Sequence, residues 1–278
     1  MKFNRLSILG VGLLGGSIGL AVKSVSRSTH IIGYGHRAGS LRRAQELGVI
    51  DQAFDAVGDA VRDAELIILC TPITAFENIF KEIAETLPAG AIITDVASTK
   101  RSVVSLAQRT LPAHVRFVAS HPMAGSEQRG IDSARADLLH GALCLTTPTA
   151  ETDGSALESV EQFWIDLGMR IMRCSPEDHD RLVGSISHLP HAMAAALVNM
   201  QSEDTLKLAG KGFADATRIA AGDPVLWEAI LLDNADNVGA GIDAIQEQLQ
   251  KLKTMLNPAC SDELRAWLQS AADKRRSL

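Results

Sequence analysis

Three separated segments of the chain are rich in side chains that transfer protons or bind anions. They read HPMAGSE, SHLPH and GFADATR, and the candidate functional side chains in them are His121, Ser126, Glu127, His188, His191, Asp215 and Arg218. Neutral histidine accepts a proton near pH 7, and arginine binds a carboxylate through two parallel hydrogen bonds. A lone histidine is more often structural than catalytic. Three histidines and an arginine on segments that can converge at one cleft favour a catalytic role over a structural one.

A glycine-rich turn near the start of the chain predicts a dinucleotide site. The segment GVGLLGGS contains the pattern GxGxxG, directly after an apolar run and at the start of a helical stretch. One glycine makes the tight turn, one lets a pyrophosphate approach the backbone, and one lets helix and strand pack closely. The helix N-terminus then faces the anion. The predicted contacts are Gly10, Gly12, Leu13, Leu14 and Gly15.

The end of the second predicted strand bears on the choice between NAD and NADP. NAD-preferring sites usually carry an acidic residue about 20 positions after the glycines, where it holds the ribose 2′-hydroxyl. Here the segment is Gly35-His36-Arg37, without an acid and with two potential cations. We expect these residues to hold a 2′-phosphate and the protein to favour NADP. The alternative is that Arg37 is a solvated surface charge and that NAD binds without the acid.

Polar residues also follow the next two predicted strands. Thr71 and Pro72 follow one strand, and Ser98 lies in the segment DVASTK after another. The carboxyl ends of the strands in an open sheet line the crevice where ligands bind. Thr71 and Ser98 are therefore expected to contact the nicotinamide half of the cofactor.

The elements that position these residues follow from short apolar runs alternating with helical periodicity. The predicted strands are Leu6–Leu9, Ile31–Tyr34, Leu66–Leu69, Ala91–Thr94, Arg116–Ala119, Ala142–Thr146 and Met169–Met172, with helical patterns at Leu41–Leu47, Phe76–Leu87 and Leu157–Leu167. This alternation is typical of an α/β fold with a Rossmann-type, doubly wound, mostly parallel sheet. HPMAGSE is then expected to be a loop at the carboxyl end of that sheet.

Beyond position 174 the composition changes. Val, Ile and Thr become rarer, and residues 176–200, 224–255 and 261–274 show helical patterns. The sequence therefore predicts a dinucleotide-binding domain over residues 1–174 and an all-α domain for substrate binding and dimerisation over residues 175–278. Alanine-rich helices suit packing across a homodimer interface; the alternative is a monomeric helical cap.

Composition excludes several classes of function. The net charge is −6 without a basic block, which argues against nucleic acid as a partner. No apolar run has the length of a membrane span, and the N-terminus lacks the features of a signal peptide. The four cysteines have no metal-ligand spacing and are expected to be free thiols, so we predict no metal and a cytoplasmic protein.

At this point the chain resembles a known family. GVGLLGGS, DVASTK, HPMAGSE, SHLPH and GFADATRIA follow in the order and spacing of the prephenate/arogenate dehydrogenases, the NAD(P)-linked oxidative decarboxylases of tyrosine biosynthesis. The resemblance extends from about Leu6 to about Trp227 and is general helical character beyond that point. HPMAGSE and SHLPH together are far more specific than the glycine turn.

The resemblance implies roles for individual residues. His121 is similar to the family's catalytic histidine, which accepts a hydrogen bond from the ring C4 hydroxyl, and Ser98 to a serine beside that hydroxyl and the nicotinamide. Arg218 resembles an arginine that binds a substrate carboxylate, and His191 a residue at the substrate side chain. Ser126 and Glu127 resemble a polar pair at the pocket mouth, although many relatives have threonine at the position of Ser126. His188, Asp180 and Asp215 resemble supporting residues.

Several alternatives stay open. Prephenate carries a keto acid in its side chain, whereas arogenate carries an ammonium. His191 suits the first and Glu127 the second, so prephenate is favoured over arogenate only slightly, and a dual-specificity cyclohexadienyl dehydrogenase would accept both. A 3-hydroxyacid or imine reductase shares the Rossmann-plus-helices plan, but the hydroxyacid enzymes would be expected to carry a lysine where SHLPH stands. A non-catalytic nucleotide-binding protein would be expected to have lost the polar set.

Overall fold

The computed structural model describes residues 2–124 and 128–277, and its central feature is a six-stranded, fully parallel sheet. The strands are β1 (Arg5–Leu9), β2 (His30–Tyr34), β3 (Gln52–Phe54), β4 (Leu66–Leu69), β5 (Ile92–Asp95) and β6 (Arg116–Val118). Their order is β3-β2-β1-β4-β5-β6. The direction of winding reverses between β1 and β4, and ligands of open α/β sheets bind in the crevice at such a point. The predicted Rossmann-type architecture is confirmed.

Strand β3 was missed because its sequence gives little signal. It has three residues, of which Gln52 is exposed and the other two are half-buried. Strand β4, by contrast, is a continuous apolar run whose four residues are completely buried. Central parallel strands are covered on both faces and are read easily from sequence; a short edge strand is not.

A second, smaller sheet lies beside the first and corrects two expectations. It contains β7 (Ser120–Pro122), β8 (Leu143–Thr146) and β9 (Arg170–Arg173); β7 runs antiparallel to β8, and β8 runs parallel to β9. The runs at 142–146 and 169–172 therefore do not extend the main sheet. His121, expected in a loop, is the central residue of β7 and pairs with Leu145. The backbone of His121 is thus held by the pairing of β7 with β8.

Helices cover both faces of the main sheet. They are α1 (Leu13–Val25), α2 (Ala38–Glu46), α3 (Val57–Val61), α4 (Phe76–Ile83), α5 (Arg101–Thr110) and α6 (Gly154–Asp166). Successive residues of a strand point to opposite faces. In β1, Ile8 therefore packs with Ile18 and Trp164 on one side, whereas Leu9 packs with Phe76 and other apolar residues on the other.

The chain beyond Arg173 is helical. Its helices are α7 (Pro176–Val183), α8 (Leu189–Asn199), α9 (Glu203–Leu206), α10 (Lys211–Thr217), α11 (Pro224–Asp233), α12 (Ala235–Met255) and α13 (Ser261–Arg276). Within the described part of the chain, no helix is both long enough and apolar enough to cross a membrane.

Two helices predicted as continuous are interrupted. The pattern at 176–200 contains a π-helical turn, Gly184–His188, between α7 and α8. Pro190 has no backbone N–H for the carbonyl four residues earlier, which explains why regular α geometry is lost just before it. The pattern at 224–255 is divided between α11 and α12 at the buried Asn234. Both interruptions lie at the candidate site.

Candidate active site

The glycine turn has the geometry of a phosphate site. Gly10 has φ +109°, a conformation that favours glycine, and its N–H donates to the carbonyl of Tyr34 at 2.9 Å. A Cβ on Gly10 would lie 2.7 Å from the backbone carbon of Cys70, and a Cβ on Gly15 would lie 2.1 Å from the Gly10 carbonyl oxygen. These close approaches fix the start of α1 against β1 and β4.

The N-terminus of α1 is open to a ligand. Gly12 precedes the helix, is exposed, and would have nothing within 4 Å of an added Cβ. The N-cap residue of α1, Gly12, has no side chain to cap the helix, and no acidic residue lies in the first turn, which begins with the half-buried Leu13 and Leu14. The first N–H groups of a helix need acceptors, and the helix dipole favours an anion there. The turn therefore fits the pyrophosphate of a dinucleotide.

At the end of β2 lie the residues expected to contact the ribose. Gly35 is half-buried, whereas His36 and Arg37 are exposed. The His36 ring packs edge-on against the ring of Tyr34, with centroids 5.4 Å apart, and Arg37 precedes α2. Two cationic or potentially cationic side chains thus face solvent beside the turn.

The ends of β4 and β5 supply further contacts. Thr71 is half-buried, Pro72 is exposed and Ser98 is half-buried. The hydroxyl oxygen of Thr71 is buried and has no hydrogen-bond partner among the described residues. A buried hydroxyl without a partner is costly, and a bound ligand would satisfy it. Together with the open helix N-terminus, this hydroxyl shows that the residues present fit NAD(P).

His121 begins a chain of buried polar side chains. Its Nδ1 lies 2.9 Å from Nε2 of His179, and Nδ1 of His179 lies 2.8 Å from Oδ1 of Asp180. Asp180 also accepts from the backbone N–H groups of Lys100 at 2.7 Å and Arg101 at 3.0 Å, so it caps α5 from across the fold. The Nε2 atom of His121 has no hydrogen bond with any described residue.

These groups have a defined protonation state at neutral pH. Burial lowers the pKa of His121 well below 6.5, and the positive charge of Lys100 acts in the same direction. Burial also lowers the pKa of His179, against the opposing effect of Asp180. For Asp180, burial acts to raise the pKa, but hydrogen bonds from His179 and the α5 backbone lower it overall. The site therefore contains two neutral imidazoles and one carboxylate.

A buried ion pair lies near the hydrogen-bonded series His121–His179–Asp180. Lys100 and Asp95 are both completely buried and contact each other through Nζ and Oδ2. Asp95 also accepts from the backbone N–H of Ala97 at 3.0 Å and of Ser120 at 3.1 Å. The pair thereby ties the end of β5 to β7 immediately before His121. Among the described residues, no group of three His, Cys, Asp or Glu side chains could hold a metal ion.

The interrupted helices bring the second histidine segment to the same place. Asn234 donates to the Asp180 carbonyl at 2.8 Å and lies 3.0 Å from Nδ1 of His188. Burial lowers the pKa of His188 to about 4, and the adjacent Ser98 backbone acts against this. His191 stacks on Trp227, with ring centroids 3.5 Å apart and planes inclined by 10°. Its Nδ1 is buried without a partner in the described part of the chain, and burial lowers its pKa.

The structure gathers some of the predicted residues into the buried network, whereas others are exposed. His121, Asp180, His188, His191 and Ser98 belong to the buried network or border it. Arg218 is exposed at the start of the 3-10 turn Arg218–Ala221, which packs against α8, and Asp215 is exposed without a side-chain hydrogen bond to a described residue. Ser126 and Glu127 lie outside the described residues. The sequence patterns did not indicate five further residues of this network, which are His179, Lys100, Asp95, Asn234 and Trp227.

Comparisons with known proteins agree with this geometry. Residues 18–173 match the family model "Prephenate dehydrogenase, nucleotide-binding domain", and residues 175–270 match "Prephenate dehydrogenase, dimerization domain". A prephenate dehydrogenase of Bacillus subtilis is 35% identical over 99% of this chain and 76% of its own length. A cyclohexadienyl dehydrogenase of Zymomonas mobilis is 33% identical over 99% of this chain and 96% of its own.

A solved structure gives a similar result. The crystal structure of prephenate dehydrogenase from A. aeolicus in complex with hydroxyphenyl propionate and NAD+ superposes with a TM-score of 0.93 at 32% identity. The superposition covers 100% of this chain and 99% of that one.

Proposed function

The chain belongs to the prephenate dehydrogenase family, and we propose that it converts prephenate to 4-hydroxyphenylpyruvate with hydride transfer to NAD(P)+, in tyrosine biosynthesis. The observation that carries the proposal is His121, a buried neutral histidine on β7 whose Nε2 has no hydrogen-bond partner among the described residues. Oxidation of an alcohol to a ketone requires an acceptor for the hydroxyl hydrogen as the hydride leaves. His121 supplies that acceptor.

During the reaction His121 takes up one proton and later returns it to the product. The hydroxyl proton at C4 moves to Nε2 of His121 while the C4–H bond breaks, and bound NAD(P)+ supplies the hydride acceptor. The bond between the ring and its carboxylate then breaks, and the carboxylate leaves as CO₂. The electron pair of that bond passes into the ring and onto the C4 oxygen, so the ring becomes aromatic. The resulting phenolate takes the proton back from His121. Aromatisation makes this step strongly favourable, so no separate strong acid is required.

The substrate carries two carboxylates, and the protein has a net charge of −6. Binding therefore requires local cations. We assign one carboxylate to Arg218, since a guanidinium binds a carboxylate with two hydrogen bonds. His191 stacks on Trp227, its Nδ1 has no partner among residues 2–124 and 128–277, and it is assigned to the keto-acid side chain. Ser98 orients the hydroxyl and the nicotinamide, and Ser126 and Glu127 are assigned to the pocket mouth.

We propose that prephenate is preferred to arogenate. Burial keeps His191 neutral, so it can donate a hydrogen bond to a keto acid without carrying a charge. No carboxylate contacts it in the described part of the chain, whereas an ammonium side chain would require one.

We further propose that NADP is preferred to NAD. His36 and Arg37 are exposed at the end of β2, and Gly35 stands where an acidic residue would repel a 2′-phosphate. A guanidinium at this position can bind a phosphate in the bidentate mode.

The proposed functional unit is a homodimer with one dinucleotide-binding domain (residues 1–174) and one substrate-binding and dimerisation domain (residues 175–278) per chain. Large apolar side chains are exposed on the helical part, among them Leu208 at 85%, Val225 at 70% and Leu232 at 70%. A second copy would cover them. We place the enzyme in the cytoplasm, where its four free cysteines would stay reduced.

One crossed assay tests the proposal. Purified protein is given prephenate or arogenate, each with NAD+ or NADP+, and the absorbance of the reduced cofactor is followed. We expect turnover with prephenate and a higher kcat/KM with NADP+. Turnover with arogenate alone would overturn the substrate assignment, and no turnover in any combination would overturn the proposed function.

A further inference from the structure

The buried chain from His121 through His179 to Asp180 determines where its hydrogens lie. The lowered pKa of Asp180 makes it a carboxylate at neutral pH, and a carboxylate only accepts hydrogen bonds. The hydrogen between Nδ1 of His179 and Oδ1 of Asp180, which are 2.8 Å apart, therefore belongs to His179. Two backbone N–H groups at the start of α5 hold the carboxylate in place.

The same reasoning extends to the next ring. A neutral histidine has one N–H, and His179 uses it toward Asp180, so its Nε2 carries a lone pair. Nδ1 of His121 lies 2.9 Å from that atom and must donate to it. His121 is neutral as well, so its own Nε2 carries a lone pair. The opposite tautomer of His121 would place two lone pairs against each other.

We infer that His179 is a positioning residue: anchored by Asp180, it holds His121 in the one tautomer whose Nε2 accepts the substrate hydroxyl. This inference rests on the proposed function. Both ring nitrogens of His179 are engaged by His121 and Asp180, so His179 acts through His121. The arrangement also stabilises the positive charge that His121 acquires during the reaction. The hydrogen bond that its Nδ1–H donates to His179 becomes stronger, and His179 in turn contacts the carboxylate of Asp180.

The other charged or titratable groups around His121 do not replace this effect. Lys100 and His188 both act on His121 electrostatically, but neither bonds to its ring in the part of the chain that the structure describes. Lys100 is paired with Asp95, and His188 is engaged with Asn234. The direct partner of the His121 ring is therefore His179.

The first test needs no activity and no variant of His179. Protein labelled with ¹⁵N-histidine is examined by long-range ¹H–¹⁵N NMR, and a His121→Asn sample assigns the His121 signals. We expect a neutral His121 ring with the hydrogen on Nδ1 and an unprotonated Nε2 at pH 7.5. A ring with the hydrogen on Nε2 would overturn the inference, even if prephenate is turned over.

The second test uses a matched pair of substitutions. In His179→Gln the longer amide reaches the position of Nε2 and can accept from His121, whereas in His179→Asn it ends near the position of Nδ1 and cannot. We expect the asparagine variant to lose on the order of 100-fold in kcat with little change in KM for prephenate. The glutamine variant should keep most of the turnover, and the exposed His114→Asn serves as the control.

Equal turnover in the two variants, or a wild-type kcat in His179→Asn, would overturn the inference. If neither variant folds, the NMR measurement on the wild-type protein decides. Failure of the wild-type protein to oxidise any substrate would count against the proposed function, while the tautomer of His121 would still be measured independently.

Discussion

Because His188 is buried, we expect acidic pH to destabilise the folded protein. Burial lowers the pKa of His188 from 6.5 to about 4 in the folded protein. The unfolded chain therefore binds a proton at this position at a higher pH than the folded chain does. The contribution of His188 to stability is complete above pH 6.5 and is lost as the pH falls toward the folded-state pKa.

The magnitude follows from the size of the shift. Each unit of pKa difference corresponds to about 1.4 kcal/mol, so His188 should remove about 2 kcal/mol of unfolding free energy by pH 5 and about 3 kcal/mol by pH 4. His121, His179 and His191 have pKa values shifted in the same direction and add to the effect. The wild-type protein should thus lose stability steeply below pH 6.5.

The variant His188→Asn isolates one histidine from the others. Its amide oxygen can still accept from Asn234, which lies 3.0 Å from Nδ1 of His188, but it does not titrate. Urea unfolding is measured between pH 7.5 and pH 4.5 at fixed protein concentration, with His114→Asn as the exposed control. The unfolding free energy of His188→Asn should fall less than that of the wild type over this range. Parallel pH profiles for the two proteins would show that His188 is not a source of the acid destabilisation.

Three further substitutions test other parts of the site. Arg218→Ala should raise KM for prephenate at least tenfold with kcat nearly unchanged, because it removes a carboxylate anchor; an unchanged KM would place Arg218 outside the pocket. Arg37→Ala should weaken NADP+ binding, measured by fluorescence titration, much more than NAD+ binding, and equal effects would exclude a 2′-phosphate contact. Lys100→Met should cost about 3–5 kcal/mol in unfolding free energy, because it leaves Asp95 buried without its cation. The double variant with Asp95→Asn should recover part of that loss, and a Lys100→Met protein as stable as the wild type would contradict this.

Much of the main sheet was predictable because local sequence determines it. The runs that form β1, β2 and β4 are short, apolar and almost completely buried, and the glycines at positions 10 and 15 are required by close backbone approaches. Patterns of this kind depend on neighbours in sequence. Strand β7 does not depend on local sequence in this way. Its three residues include a histidine and a proline and have no strand signature, and they form a strand because they pair with β8.

The candidate site was predictable only in part for a related reason. His121, His188 and His191 stand in dense polar motifs, whereas His179 lies in SPEDHDRL, which looks like an ordinary capped helix start. Its importance depends on a contact with His121, 58 positions away. Lys100 and Asn234 were missed similarly, because a charged or polar residue in sequence gives no sign that it is completely buried.

The most direct test of the proposed role of His121 is the turnover of His121→Asn with prephenate, measured by steady-state kinetics beside the wild type and the exposed control His114→Asn. Asparagine keeps the polarity of the site but removes the ring nitrogen that would accept the hydroxyl proton. We expect a kcat lower by on the order of 100-fold to 10,000-fold, with KM for prephenate nearly unchanged. A His121→Asn enzyme that turns over prephenate at the wild-type rate would contradict the proposed role.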